Sequence, residues 1–539
     1  LINAYESRRT EMEALADAGL EVARARLNAD RDLYPDEGYK TLENGQALVD
    51  AAGAGIPGVK RYVYAGPVGQ TSGQFGVFGS IISVVESGNT RVVRRGDIAQ
   101  ASFARFAYFT DVEPSNIAFG GGDMVSGPVH SNDVIKIYNS GASFRGPGSV
   151  TTARTISGRQ YATFSEGYQE NVPRIPLPTL ADLTKLRGYA EQGGAAFTAP
   201  SGGTAFEARM RIEFLTIDLN GDGRHDGDEE GFFRVYRGTG ATWWVTASRN
   251  GNGWPASENC GVWTNDSTFV LARDLGGNTS YKINALRNTN VAKCYLGGSD
   301  SLTNGFVPSQ NNRGDWVRRG FALNGNLPQA LRDRDDLDFL FPLGHGLNPN
   351  FKGVIHVTGR VAISGVLRGR VTLAATDRII IADDIVYVSE GNSCEDILGL
   401  FGGADISVAD NLLNSPQSTA NGEPFRSYDS TPSEFINGVI LTLNTFNVEN
   451  YDGGPNAERC QNEVFGRGCL FLTGGIIQRT RGAVGTSGGT GYLKRYTYDA
   501  CAASAPPPYF PTTGHFDRSS YYEVNPVGFS VSTFFEDRQ

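Results

Sequence analysis

Several chemistries are missing from this sequence. No stretch is both long and apolar enough to span a bilayer. The 6 cysteines form no CxxC, and no Cys/His cluster has the spacing of a zinc site. Histidine is scarce, with 5 in all: His130, His225, His345, His356 and His515. None lies in an HExxH or beside a nucleophile elbow, so neither a metalloprotease nor a Ser/His/Asp hydrolase has support. The glycine-rich runs AFGGGD (118–123) and GTSGGTG (485–491) lack the GxGxxG and GxxxxGK[ST] arrangements that cradle phosphate, and read as corners. Basic residues are also in deficit. The net charge is −10 and the pI about 5.2, which argues against sequence-independent binding of nucleic acid, since that relies on Lys and Arg facing phosphates. The cluster Arg91, Arg94, Arg95 reads as a solvated face.

What the chain has in plenty is glycine, 69 of 539 residues, together with Asn, Ser and Thr. These residues make tight turns, and strands are the natural elements between closely spaced turns. The hydrophobic fraction of 40% and charged fraction of 20% exclude a disordered chain. Length alone suggests several domains, unless part of the chain is a solenoid that grows rung by rung. The even set Cys260, Cys294, Cys394, Cys460, Cys469 and Cys501, widely spaced, suits disulfides in an oxidising compartment. Spacing does not fix the connectivity; the pairing adopted as an expectation is Cys260–Cys294, Cys460–Cys469 and Cys394–Cys501.

Along the chain, residues 2–28 read as one helix, rich in Ala, Glu, Leu and Arg and free of Pro, with Met12, Leu15, Gly19 and Val22 on one face and Ala16 and Ala23 alongside. Residues 60–109 read as an antiparallel meander, with alternation at Phe75, Val77, Ile81, Ile82 and Val84. Between 115 and 165 short apolar pairs alternate with Gly-rich corners, as solenoid rungs would. A Pro-rich linker, VPRIPLPTL, precedes a short helix, LADLTKLRGYAEQ. Residues 205–300 read as an inserted β module with strands ARMRIEFLTI, GFFRVYRG and ATWWVTAS. Rung-like patterning returns at 350–390, where Arg360, Arg370 and Arg378 each open an apolar segment and Val361, Ile363, Val371, Leu373, Ile379 and Ile381 would point inward. The segments 435–480 read as further rungs. The expected fold is mainly β: a helix at 1–30, a meander at 31–115, β-solenoid rungs at 116–170, a linker helix and inserted module at 171–345, and a second solenoid and C-terminal β region at 346–539.

The strongest site signal is DLNGDGRHDGDE, 218–229. An EF-hand loop asks for oxygen ligands at its positions 1, 3, 5, 7, 9 and 12 and Gly at 6. Those positions hold Asp218, Asn220, Asp222, Arg224, Asp226 and Glu229, with Gly223 in between; Arg224 would contribute only its backbone carbonyl. The loop lies between two strand-like runs, so the expectation is a structural calcium site without the EF-hand helices. A weaker candidate is the acidic run 332–340, with Asp333, Asp335, Asp336 and Asp338, which reads first as a polar helix or turn.

The N-terminal ESRRTEMEALADAGLEVARARLN, with ADAGLE at 16–21, resembles the end of the spine helix in PilX-like type IV pilus assembly proteins. The C-terminal IIQRTRGAVGTSGGTGYLKRYTYD followed by PPPYFP resembles the tail of large exported pilin-like proteins, through Ile476, Ile477, Gln478, Arg481, Gly482, Val484, Gly485, Tyr492, Tyr496, Asp499, Pro507, Pro508, Tyr509 and Phe510. GPVHSNDVIKI and RGRVTLAATDRIIIADDIVY also resemble that family, whereas 170–345 resembles nothing nameable. The resemblance implies a non-enzymatic structural or adhesive subunit of a type IV pilus or related assembly at the cell surface. It would be held in the inner membrane before assembly, by an apolar segment preceding Leu1, and would meet other pilin-like subunits through its helix; a surface or carbohydrate is the expected external ligand. Two further readings compete: a free-standing secreted adhesin or fibre, and a carbohydrate-active β-helix protein such as a polysaccharide lyase. The latter needs an acid–base pair in one groove, and no spacing in the sequence supplies one.

Overall fold

In the computed structural model the described residues are 2–50, 52–69, 74–202, 208–220, 228–238, 314–334, 336–389, 393–409, 434–452, 459–460 and 463–537, with short strands at 262–263, 271–273, 280–282, 286–287, 417–418 and 424–425. The chain is mainly β, with an N-terminal helix and a large mixed sheet. It forms two compact units, one from Leu1–Phe103 with Tyr509–Gln539 and one from Ala104–Pro508.

In the first unit, helix α1 (Ile2–Ala29) runs 28 residues, about 42 Å at 1.5 Å per residue. Strands β1 (Lys40–Val49), β2 (Gly55–Pro67), β3 (Phe78–Ser87) and β4 (Thr90–Ser102) form an antiparallel sheet in chain order, completed at its far edge by Thr512–Val524. Both faces of β3 are covered because successive side chains of a strand point to opposite sides. On one face Ile81 and Val85 meet α1 through Met12, Ala16, Leu20, Ala23 and Leu27. On the other, Ile82 and Val84 pack with Tyr62, Tyr64 and the C-terminal Phe535.

The buried stripe of α1 departs from the expected one. Val22 is 43% exposed, while Leu20 and Leu27 are buried. At 100° per residue, Met12, Ala16, Leu20, Ala23 and Leu27 stay within one arc, whereas Val22 falls well outside it. Gly19 does lie on the packed side, for a specific reason. A Cβ there would stand 2.4 Å from Ser83 Oγ and 2.8 Å from Arg61 Cδ. Arg61 passes under the helix at this point, donating to the Leu15 carbonyl at 3.1 Å and to both Glu43 oxygens at 2.7 and 3.0 Å.

The second unit is built around parallel pairings. One ladder runs Ala196–Thr198, Val354–Thr358, Arg370–Ala375, Ile397–Gly402, Glu434–Val448, Cys469–Arg481, Tyr108–Val112, Val129–Ser131 and Val150–Thr152. Its register aligns Ile355, Leu373, Leu400, Ile440, Ile476, Tyr108, Val129 and Val150 in one column, all within the main core. A second ladder aligns Ile363, Ile381, Val408 and Val448. A third passes from Cys469–Arg481 to Leu493–Tyr498, Asp123–Ser126, Ala142–Arg145 and Ala162–Phe164. The stack does not follow chain order: strands of 108–169 extend it beyond strands of 469–498. β-branched and leucine side chains suit such columns because each buries its apolar surface against the like residue one rung away.

Met210–Asp218 and Glu229–Gly238 form an antiparallel hairpin, but the first strand also pairs in parallel with Val361–Leu367, so this hairpin is part of the large sheet. ATWWVTAS and most of 239–313 lie outside the described residues.

Helix α2 (Leu180–Gln192) follows the Pro-rich segment, with Asp182 accepting from the Thr179 N–H at 2.8 Å and Leu183, Leu186 and Ala190 buried. It packs on Val354–Thr358, where Ile355 and Val357 turn into the core and His356 alternates outward. His356 is 1% exposed and neither ring nitrogen has a hydrogen-bond partner among the described residues. Burial, reinforced by the Arg187 guanidinium and opposed by Glu191, pushes its pKa down to about 4 from 6.5. The unfolded chain therefore binds the proton first as pH falls. This neutral imidazole contributes up to about 3 kcal/mol that is fully present above pH 6.5 and is lost as pH falls to about 4. Urea unfolding across that range should show the loss, and His356→Leu should flatten it; an unchanged acid limb in that variant would refute this account.

Candidate functional site

The structure places the ends of the predicted calcium loop and no more of it. Asp218 and Glu229 are the last paired residues of their hairpin, directly opposite each other, and both are buried. The Asn220 N–H donates to Asp218 Oδ1 at 3.1 Å, which turns the chain out of the strand. Asp222, Arg224 and Asp226 lie outside the described residues. Among the described residues no three His, Cys, Asp or Glu side chains are gathered to hold a metal ion. The weaker acidic run is committed elsewhere. Asp336 is paired with Arg334 at 2.7 Å and with Arg234 at 3.0 Å. Burial opposes its ionisation, yet the two guanidiniums outweigh that and hold its carboxyl below the usual range. Asp338 pairs with Arg318, and Asp335 lies outside the described residues.

Two disulfides are present among the described residues. Cys394 joins Cys501, closing a sequence separation of 107, with Cα atoms 5.1 Å apart. Cys501 lies in the first turn of the short helix Ala500–Ser504, where Asp499 caps the helix by accepting its N–H at 2.9 Å. Cys460 joins Cys469 across a separation of 9. Cys260 and Cys294 lie outside the described residues.

Two features of the second unit were not found by motif reading. The first is a buried ion pair at the seam where Tyr108–Val112 meets Cys469–Arg481. Arg481 Nη1 donates to Glu113 Oε2 at 3.2 Å, with side chains 2% and 0% exposed. The Arg481 guanidinium lies 3.8 Å from the Phe119 ring centre, and Glu113 also accepts from Thr110 Oγ1 at 2.5 Å.

The second is a cavity of about 340 Å3 lined by Asp111, Asn132, Arg174, Pro176, Leu177 and Arg479. Asp111 and Arg479 sit on adjacent parallel strands, between the paired residues Thr110–Gln478 and Val112–Thr480. Asn132 follows on the next strand, where its N–H donates to the Thr110 carbonyl at 2.8 Å. Adjacent strands are about 4.8 Å apart, so the three positions form an outward column. Asn132 is buried and satisfied: Nδ2 donates to Asp111 at 2.8 Å and to the Ile175 carbonyl at 2.7 Å, and Oδ1 accepts from the Ile175 N–H at 2.9 Å. These bonds dock the Pro-rich segment along the strands and thereby form the cavity wall. His130 lies 3.0 Å from Asn132 Oδ1, stacked on Phe109; burial lowers its pKa, so the ring is neutral near pH 7. The only sequence signal for this cavity was indirect, an Arg within a Pro-rich segment.

A larger cleft of about 700 Å3 in the first unit is lined by Arg9, Arg91, Glu523 and Pro526 among others. Its charges are mutually engaged: Arg9 and Arg94 pair with Glu523, and Arg91 donates to the carbonyls of Pro526 and Phe529.

No protein-family model matches the chain, and no curated protein matches it. Among solved structures, it is matched to the competence-associated pilin ComZ from Thermus thermophilus at 12% identity, over 96% of this chain and 97% of that one. The TM-score of that match is 0.27.

Proposed function

We propose that this chain is a non-enzymatic, pilin-like surface protein, a structural or adhesive subunit of a type IV pilus or related filament or secretion assembly. The observation that carries the reading is α1 laid across one face of an antiparallel sheet, with Met12, Ala16, Leu20, Ala23 and Leu27 buried and Val22 facing away. A helix anchored in this way has a second face with which to meet other helices. The parallel ladders of the second unit support reading it as a β-solenoid, whose rigidity suits an exposed body. The test is cross-linking in cells expressing the whole gene. With Val22→Cys, a thiol-reactive cross-linker should capture other helix-bearing subunits, whereas Tyr168→Cys, at an exposed position of the second unit, should not. Equal capture at both positions, or none at Val22, would contradict the reading.

Within this reading, 218–229 is a structural calcium loop. The opposed Asp218 and Glu229 at the hairpin mouth and the turn at Asn220 support it. Bound calcium would neutralise carboxylates held close together and close the hairpin, with affinity in the ~10⁻⁴–10⁻³ M range of extracellular modules. Calcium in the millimolar range should raise the melting temperature, and Glu229→Gln should abolish the rise. A rise of equal size with magnesium, or one that survives Glu229→Gln, would rule out this site.

A further inference from the structure

We infer that the cavity at Asp111, Asn132, Arg174 and Arg479 binds a carboxylated sugar unit, such as a uronate residue of an acidic polysaccharide. The inference deepens the adhesive reading by naming a ligand class, but the site is read from its own geometry. Four observations converge on it.

First, one cation is uncommitted. Arg479 is exposed and makes no hydrogen bond or ion pair among the described residues. Its neighbour Asp111 is already engaged, with Arg174 Nη2 at 2.6 Å and Asn132 Nδ2 at 2.8 Å on the same oxygen, Oδ1. With two guanidiniums against one carboxylate the cavity carries net positive charge, on a chain whose net charge is −10. The guanidinium fork matches a planar carboxylate.

Second, Asp111 is only part-buried and its Oδ2 is left to accept, which suits a hydroxyl donor and disfavours a phosphate dianion. Third, Pro176 and Leu177 supply an apolar wall for the C–H face of a ring. Fourth, the volume of about 340 Å3 lies at the small end of ligand pockets and suits one ring, so a polymer would cross the site with one unit seated. The first unit's cleft lacks this pattern, because its guanidiniums are engaged within the protein.

The test is calorimetric titration of the purified chain with short oligomers of galacturonate, glucuronate and mannuronate, with neutral oligogalactose and an Asp/Glu-rich peptide as comparators. At least one uronate should bind, oligogalactose and the peptide should not, and Arg479→Gln should weaken binding about tenfold or more. Arg479 is exposed and makes no hydrogen bond or ion pair among the described residues, so that variant should fold unchanged, as its circular dichroism should show; Arg479→Lys should restore part of the affinity. Failure of all three uronates to bind, equal binding of oligogalactose or the peptide, or unaltered binding by Arg479→Gln would each overturn the inference. Cross-linking at Val22 is independent of this titration, so the two readings fail separately.

Discussion

Glu113→Ala should cost the second unit about 3–5 kcal/mol, the penalty for leaving a partner charge buried and unmatched. Arg481 is 2% exposed and cannot reach water without opening the seam between Tyr108–Val112 and Cys469–Arg481. Phe119 stacks on the guanidinium but supplies no countercharge. The pair itself is not the source of comparable stability, because burying both ions costs nearly what their attraction returns. The double variant Glu113→Leu with Arg481→Met should therefore recover most of the loss. Urea unfolding of the three proteins tests this. A single variant costing under about 1 kcal/mol, or a double variant as unstable as the single, would show that the pair does not hold the seam.

Reduction of Cys394–Cys501 should have an effect of comparable size. In the chain-entropy picture, closing a separation of 107 stabilises by about 4–5 kcal/mol, against about 2–3 for the separation of 9 at Cys460–Cys469. The bond also ties the segment that leads into Pro506 and Pro508 to the parallel strands. Arg370 donates to the carbonyls of Cys394, Ala505 and Pro506, and Thr372 Oγ1 to that of Pro508. Cys394→Ser with Cys501→Ser should lower the melting temperature clearly more than Cys460→Ser with Cys469→Ser. The reverse order would mean that local geometry, and not loop length, sets the effect.

The physical reasons divide what the sequence could reveal from what it could not. Local patterns were legible. Residues 2–28 read as a helix because Ala, Leu, Glu and Arg favour one, and α1 spans Ile2–Ala29. The linker helix was legible from the Pro-rich segment that leads into LADLTKLRGYAEQ, and α2 spans Leu180–Gln192. Val361, Ile363, Val371, Leu373, Ile379 and Ile381 were legible as inward residues, and all are buried in the main core. The exact buried stripe of α1 was not, because several apolar residues at nearby spacings fit more than one arc. β1 fell inside the meander expected at 31–115 but was not singled out as a strand, since its sequence carries few apolar residues.

Long-range pairing left no local trace. Nothing near 108 announces a partner at 476, and nothing near 93 announces one at 524. The same holds for Glu113 with Arg481, separated by 368 residues, and for the column Arg479, Asp111 and Asn132. Each of these residues is ordinary alone and becomes a site only when distant strands lie side by side. The proposed EF-hand-like loop is the opposite case: its candidate ligands all lie within one short run, so motif reading can propose it from sequence alone.

The most direct test of the whole account is the state of the chain at the cell surface. Filaments sheared from intact cells expressing the full gene should contain the protein. Alkylation of that fraction under denaturing, non-reducing conditions should leave Cys394, Cys460, Cys469 and Cys501 unmodified. Recovery of the protein in the cytosol, with those thiols alkylated, would contradict it.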